Sequence, residues 1–205
     1  MKKTVICSIP MRENVPKNIH LSDDLSLPVS DQPYIYPIIS FLSRTVEDVD
    51  DLKVILLVKK DGNEYYKRHL DAFKAEMSEV VDSSKKSVEY TIIDTEFSQD
   101  KEVHEQLMSM LVDEIDVGSH VMVDITFGSK DIPIVVFSAL GFAERFLDCS
   151  IDNIVYGKAE FRDNQVVSSV ICDMIPLYSL VSLTNSIKCD DPDEAKKMLE
   201  VLISH

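Results

Sequence analysis

The chain of 205 residues is short of cations: 21 Lys and Arg stand against 36 Asp and Glu, a formal charge of −15. That deficit excludes broad duplex binding, which needs an extended basic face to neutralise phosphates. No C-x-x-C pair is present. Cys7, Cys149, Cys172 and Cys189 are dispersed, with no His at ligand spacing, so zinc is not expected and the four read as reduced, mostly buried thiols. No apolar run approaches the roughly 18 residues of a membrane span. The N-terminal VICSI is cut short by Pro10 and flanked by charge, so no signal peptide, no membrane partner and a cytoplasmic location are expected. The Walker loop G-x-x-x-x-G-K-[ST] is missing, as is a G-x-G-x-x-G after the first strand. No internal repeat or low-complexity tract is visible.

What is present describes one α/β domain. Hydrophobic residues are 45% of the chain and charged ones 28%, enough for a core under a solvated surface. Residues 4–9, 53–58, 87–93, 120–126 and 153–157 are short, Val- and Ile-rich, and often apolar on successive positions, as in parallel strands covered on both faces. Between them, Tyr34–Arg44, Glu64–Val81, Lys101–Ile115 and Pro133–Leu147 have helical spacing. This alternation predicts a Rossmann-like, mostly parallel, doubly wound sheet. Residues 166–173 read as a sixth, antiparallel strand, joined to the fifth by the short KAEFRDNQ. Residues 177–187 and 192–203 read as a helical tail, with Asp190, Asp191 and Asp193 suiting the dipole of its second helix. The expected boundaries are therefore 1–175 for the α/β domain and 176–205 for a tail or linker. Residues 10–33 hold four prolines and form a long loop, of the kind that is functional or disordered. The acidic stretch 46–51 lacks the Gly and spacing of a calcium loop and reads as a solvated turn.

Ligands of an open parallel sheet bind beyond the carboxyl ends of its strands, where the strand order reverses. Two stretches occupy that place: Ser8-Ile9-Pro10-Met11-Arg12 after the first strand, and Asp124-Ile125-Thr126-Phe127-Gly128-Ser129-Lys130 after the fourth. In the second, Gly128 permits a tight turn and close backbone approach. Thr126 and Ser129 offer hydroxyls, the following helix offers N–H groups, and Lys130 adds charge. Read without a ligand, the same residues are an ordinary strand–turn–helix corner with Ser129 or Asp131 as cap. With the first and fourth strands adjacent, Ser8, Arg12 and Lys130 converge on one crevice suited to phosphate. The charge distribution agrees: residues 1–20 carry Lys2, Lys3, Arg12 and Lys17 against Glu13 alone, a local +3 in an otherwise acidic chain.

The pattern Asp124-x-Thr126-x-Gly128-Ser129-Lys130 resembles the fourth-strand motif D-I-T-H-G-F-R-S-L-P of a branch of the CRISPR-associated Rossmann fold (CARF) family. Asp124, Ile125, Thr126, Gly128 and Pro133 match. Phe127 replaces His, Ser129 replaces Phe, and Lys130 replaces Arg. Residues 154–157 resemble the family's next strand, and 177–187 its helix toward an effector domain. The resemblance implies a homodimer that binds a cyclic oligoadenylate, the tetra- or hexa-adenylate of type III CRISPR antiviral signalling, across its two-fold axis. It implies a pocket of Ser8, Ile9, Pro10, Met11, Arg12, Thr126, Phe127, Gly128, Ser129 and Lys130, with Phe127 either stacked on an adenine or packed in the core.

No R-x(4–6)-H ribonuclease motif or metal-nuclease cluster accompanies it, so no catalytic residue, metal or cofactor is expected, and the chain reads as a sensor without its effector. Two other readings stay open. One is a metal-independent ring nuclease, with the ribose 2′-OH as nucleophile and Ser8 and Lys130 as candidates. The other is an unrelated Rossmann-like nucleotide-binding protein.

Overall fold

Val5 and Cys7 of the first strand, β1 (Lys2–Ser8), join one hydrophobic cluster, while Ile6 between them is buried toward the opposite face. Burial on alternate sides is what a strand covered on both faces requires. β2 (Asp51–Lys59) repeats the pattern, and β4 (His120–Asp124) is buried from Val121 onward. The computed structural model describes residues 1–46, 50–60, 62–81, 87–95, 100–163 and 165–203, and only the backbone of Gln165. Residues 47–49, the middle of the acidic stretch, lie outside these, as do Asn164 and His205.

The remaining strands are β3 (Val88–Thr95), β5 (Ser150–Arg162) and β6 (Gln165–Asp173), and the six form one sheet in the order β3-β2-β1-β4-β5-β6. All neighbours are parallel except β5 and β6, which pair antiparallel. The helices are α1 (Pro37–Thr45), α2 (Tyr65–Val81), α3 (Lys101–Glu114) and α4 (Ile132–Phe146), with α5 (Ile175–Ser186) and α6 (Pro192–Ile203) following the sheet. α1 packs with α2, and α3 with α4. Ile38, Ile39, Leu42, Phe73 and Met77 from the first pair bury against Val5, Cys7, Val54 and Leu56. The architecture is a Rossmann-like, doubly wound α/β fold with a helical tail. The described chain falls into two compact units, one ending at Asp173 and one beginning at Met174. In the second unit, Asp191 caps α6: its Oδ1 accepts the N–H groups of Asp193 at 2.8 Å and Glu194 at 3.1 Å.

Several boundaries move for identifiable reasons. α1 begins at Pro37 and not Tyr34, because Pro occupies the first helical position, and Tyr34 pairs instead with Asn18. β4 ends at Asp124, whose side chain accepts the N–H of Thr126 at 2.8 Å and turns the chain. β5 runs from Ser150 to Arg162, well beyond 153–157. Its outer half is exposed polar sequence that pairs along β6, which periodicity of burial does not reveal. Among the described residues, no helix is long and apolar enough to cross a membrane. Cys7 and Cys149 are buried, whereas Cys172 and Cys189 are half-buried; all four are free thiols.

Candidate functional site

The strand order reverses between β1 and β4, and the loops leaving these two strands lie side by side there. The turn after β4 is built on Asp124, which is almost fully buried. Its Oδ1 takes the N–H of Thr126 and its Oδ2 takes the N–H of Ile38 at 3.1 Å, in the first turn of α1. Burial pushes the Asp124 carboxyl up, and the hydrogen bonds from Thr126 and Ile38 oppose that rise. The same burial, with the Asp124 charge second, pushes up the Cys7 thiol beside it.

Two glycines close this corner. Gly157 of β5 donates its N–H to Thr126 Oγ1 at 2.8 Å, and a Cβ there would lie 2.5 Å from the Pro37 ring. Gly128 has φ +95°, and a Cβ on it would meet the Ser8 Cβ at 3.1 Å. Phe127 between them packs edge-on to Tyr36, with ring centroids 5.7 Å apart, and Tyr36 packs likewise on Phe73. Phe127 is thus anchored to the core through Tyr36.

The loop after β1 is fastened at its far half. Asn18 and Tyr34 exchange backbone hydrogen bonds of 2.9 and 3.0 Å, and Leu21 bonds to Ser169 and Ile171 of β6. His20, buried at 3% exposure, places Nε2 3.1 Å from the Tyr34 carbonyl and Nδ1 2.8 Å from Ser169 Oγ. Burial lowers the His20 pKa, so the ring is held neutral. Lys17 reaches Glu76 of α2 at 3.2 Å. Glu76 is itself buried and accepts the N–H of Ile35 at 2.9 Å; desolvation pushes its carboxyl up. Nearer β1, the His69 Nε2–H donates to the Arg12 carbonyl at 2.7 Å. No ion pair is formed by the Arg12 guanidinium among the described residues.

This loop, the turn after β4 and the β5–β6 arm enclose a cavity of about 810 Å³. Its walls are Arg12, Asn14, Lys17, Asn18 and His20 from the loop, Thr126, Phe127 and Gly128 from the turn, and Tyr156, Gly157, Phe161 and Ser169 from the arm, with apolar residues between them. No Asp or Glu is among the twenty described lining residues. With 36 of 205 residues acidic, an even spread would place about three or four there; the lining instead carries Arg12 and Lys17, the latter paired with Glu76, a formally positive wall in a negative protein.

Of the ten residues singled out in the sequence, Pro10, Met11, Arg12, Thr126, Phe127 and Gly128 line the cavity. Ser8 and Ile9 are buried beneath it, the Ile9 N–H bonded to Leu57. Ser129 and Lys130 are not in its wall. The buried Ser129 hydroxyl has no hydrogen-bond partner among the described residues, and Lys130 is exposed. Asp131 stands at the start of α4 with no capping bond; its carboxylate faces the buried Lys59 at 3.6 Å and His104 at 3.3 Å. Sequence reasoning overlooked Lys17, His20, Tyr156 and Ser169. The signal for the first was the local excess of cations in residues 1–20, and Tyr156 lies in 154–157, read there only as a strand; His20 and Ser169 carried none.

Among the described residues no three His, Cys, Asp or Glu side chains are grouped to hold a metal ion. The chain matches no protein-family model. It has no significant match to a curated protein sequence. The fold is that of the broad Rossmann-like group of α/β proteins, an architecture consistent with nucleotide binding.

Proposed function

We propose that this protein is a cytoplasmic CARF-like sensor that binds a cyclic oligoadenylate of type III CRISPR antiviral signalling. The observation that carries the reading is the cavity at the strand-order reversal, whose described lining holds Arg12 and Lys17 and no Asp or Glu in a chain of charge −15, with Glu76 behind Lys17. A site of this kind takes a compact anion, while the acidic exterior repels a long one. Its volume falls in the usual range for small-ligand sites, roughly 300–1,000 Å³. Arg12 and Lys17 meet phosphates, and Phe127 and Tyr156 offer aromatic surface to adenine. In a homodimer the ring extends past one cavity toward its twin.

Calorimetric titration with cyclic tetra-adenylate, cyclic hexa-adenylate and a linear adenylate dinucleotide tests the proposal. One ring binds and the linear form does not. Heat from the linear form alone points to a Rossmann-like mononucleotide or dinucleotide protein, and heat from none removes the sensor reading.

A further inference from the structure

We propose that Ser169 and His20 form a nucleophile–base pair that cleaves a phosphate ester held in the cavity. The Ser169 hydroxyl lies 2.8 Å from His20 Nδ1, and the opposite ring nitrogen lies 3.1 Å from the Tyr34 carbonyl. A carbonyl only accepts, so Nε2 carries the ring proton and Nδ1 presents its lone pair to the serine. Hydroxyl, imidazole and orienting acceptor stand in the order that activates a serine: nucleophile, base, and a third group that fixes the base's tautomer. The serine and histidine are 149 positions apart in sequence, and are joined because Leu21 is bonded to β6 on both sides of Val170.

Burial favours the chemistry. His20 and Ser169 are only 3% and 5% exposed, and both lie in the cavity wall. The imidazole is kept neutral by desolvation, which is the form a general base needs. The substrate class follows from the other walls: Arg12 and Lys17 without a carboxylate suit a phosphate whose charge rises in the transition state. Ser169 Oγ attacks phosphorus while Nδ1 takes its proton. The bond from phosphorus to the leaving oxygen breaks, and that oxygen receives the proton from the imidazolium. Water, deprotonated by His20, then attacks the phosphoserine; the Oγ–P bond breaks and Ser169 regains a proton.

This inference rests on the cavity as an anion site and not on the identity of the ring. An alkyl fluorophosphonate, which loses fluoride when a serine attacks its phosphorus, provides the test on the intact chain. Mass spectrometry is expected to find one adduct, located on Ser169, and Ser169→Ala abolishes it. His20→Gln keeps an N–H donor for the Tyr34 carbonyl but has no base, and lowers the labelling rate by about 100-fold or more. No adduct on Ser169 in the wild-type protein overturns the proposal, and so does a His20→Gln rate equal to wild type. Ring binding by calorimetry is a separate readout: binding without an adduct leaves a sensor and no serine enzyme, and an adduct without ring binding supports the serine enzyme and removes the oligoadenylate.

Discussion

The Asp124 carboxylate accepts the backbone N–H of Ile38 at 3.1 Å, so the end of β4 caps the start of α1 from 86 positions away. Its other oxygen holds the N–H of Thr126. One buried side chain therefore sets both the helix that walls the cavity and the turn beside it. Asp124→Ala leaves two donors unpaired, each costing about 1–3 kcal/mol, so a loss of about 2–6 kcal/mol in urea unfolding is expected. Asp124→Asn retains one acceptor and loses roughly half as much. A loss below about 1 kcal/mol for the alanine variant would show that water replaces the carboxylate.

The cap also explains what could be read before the structure. The strands announced themselves because VILLV and HVMVD are buried on both faces, and the strand order that makes β1 and β4 neighbours follows from the crossovers. The fastening of residues 10–33 did not announce itself. Asn18–Tyr34 and Leu21–Val170 are joined through the backbone, and backbone bonds leave no mark in residue type. Likewise, composition marked 124–130 as one anion loop. Residues 126–128 face the cavity while 129 and 130 do not, and the change of direction coincides with Gly128 in the left-handed region. The residue types were readable; their division at one glycine was not.

Gly157→Ala tests the tightness of the corner. Its Cβ would sit 2.5 Å from the Pro37 ring and 3.1 Å from Thr126 Cγ2, and a proline in the first turn of α1 has little freedom to yield. A destabilisation of about 1–3 kcal/mol is expected from such overpacking. Gly141→Ala is the control: it lies inside α4 with nothing near its would-be Cβ, so a gain of about 0.5–1 kcal/mol is expected there. Equal effects at the two sites would contradict the crowding described at Gly157.

The anion site makes separable demands on its cations. If Arg12 and Lys17 meet ligand phosphates, Arg12→Ala and Lys17→Ala each weaken cyclic oligoadenylate by about 10-fold or more, as loss of a charged hydrogen bond requires. Lys130→Ala, outside the cavity wall, costs about 3-fold or less, an exposed charge being screened. Lys17 also pairs with Glu76, so its variant is compared at temperatures well below its own unfolding midpoint. A Lys130→Ala loss as large as that of Arg12→Ala would shift the site toward α4.

Glu76 gives the protein a dependence on pH opposite to that of an ordinary ion pair. Lys17 and the Ile35 and Tyr36 N–H groups favour the carboxylate, yet burial outweighs them and raises the pKa above 4.5. The folded chain then holds the Glu76 proton more tightly than the unfolded chain does. As pH rises through the window above 4.5, the unfolded state releases that proton first, and this contribution to stability is lost. Glu76→Gln, which cannot titrate, removes the effect while retaining an acceptor for Ile35. Measured by urea unfolding from about pH 4 to 7, the stability of the variant relative to wild type should rise with pH. A relative stability that falls over the same range would mean that Lys17 and the backbone donors dominate, and that the carboxylate is held charged when folded.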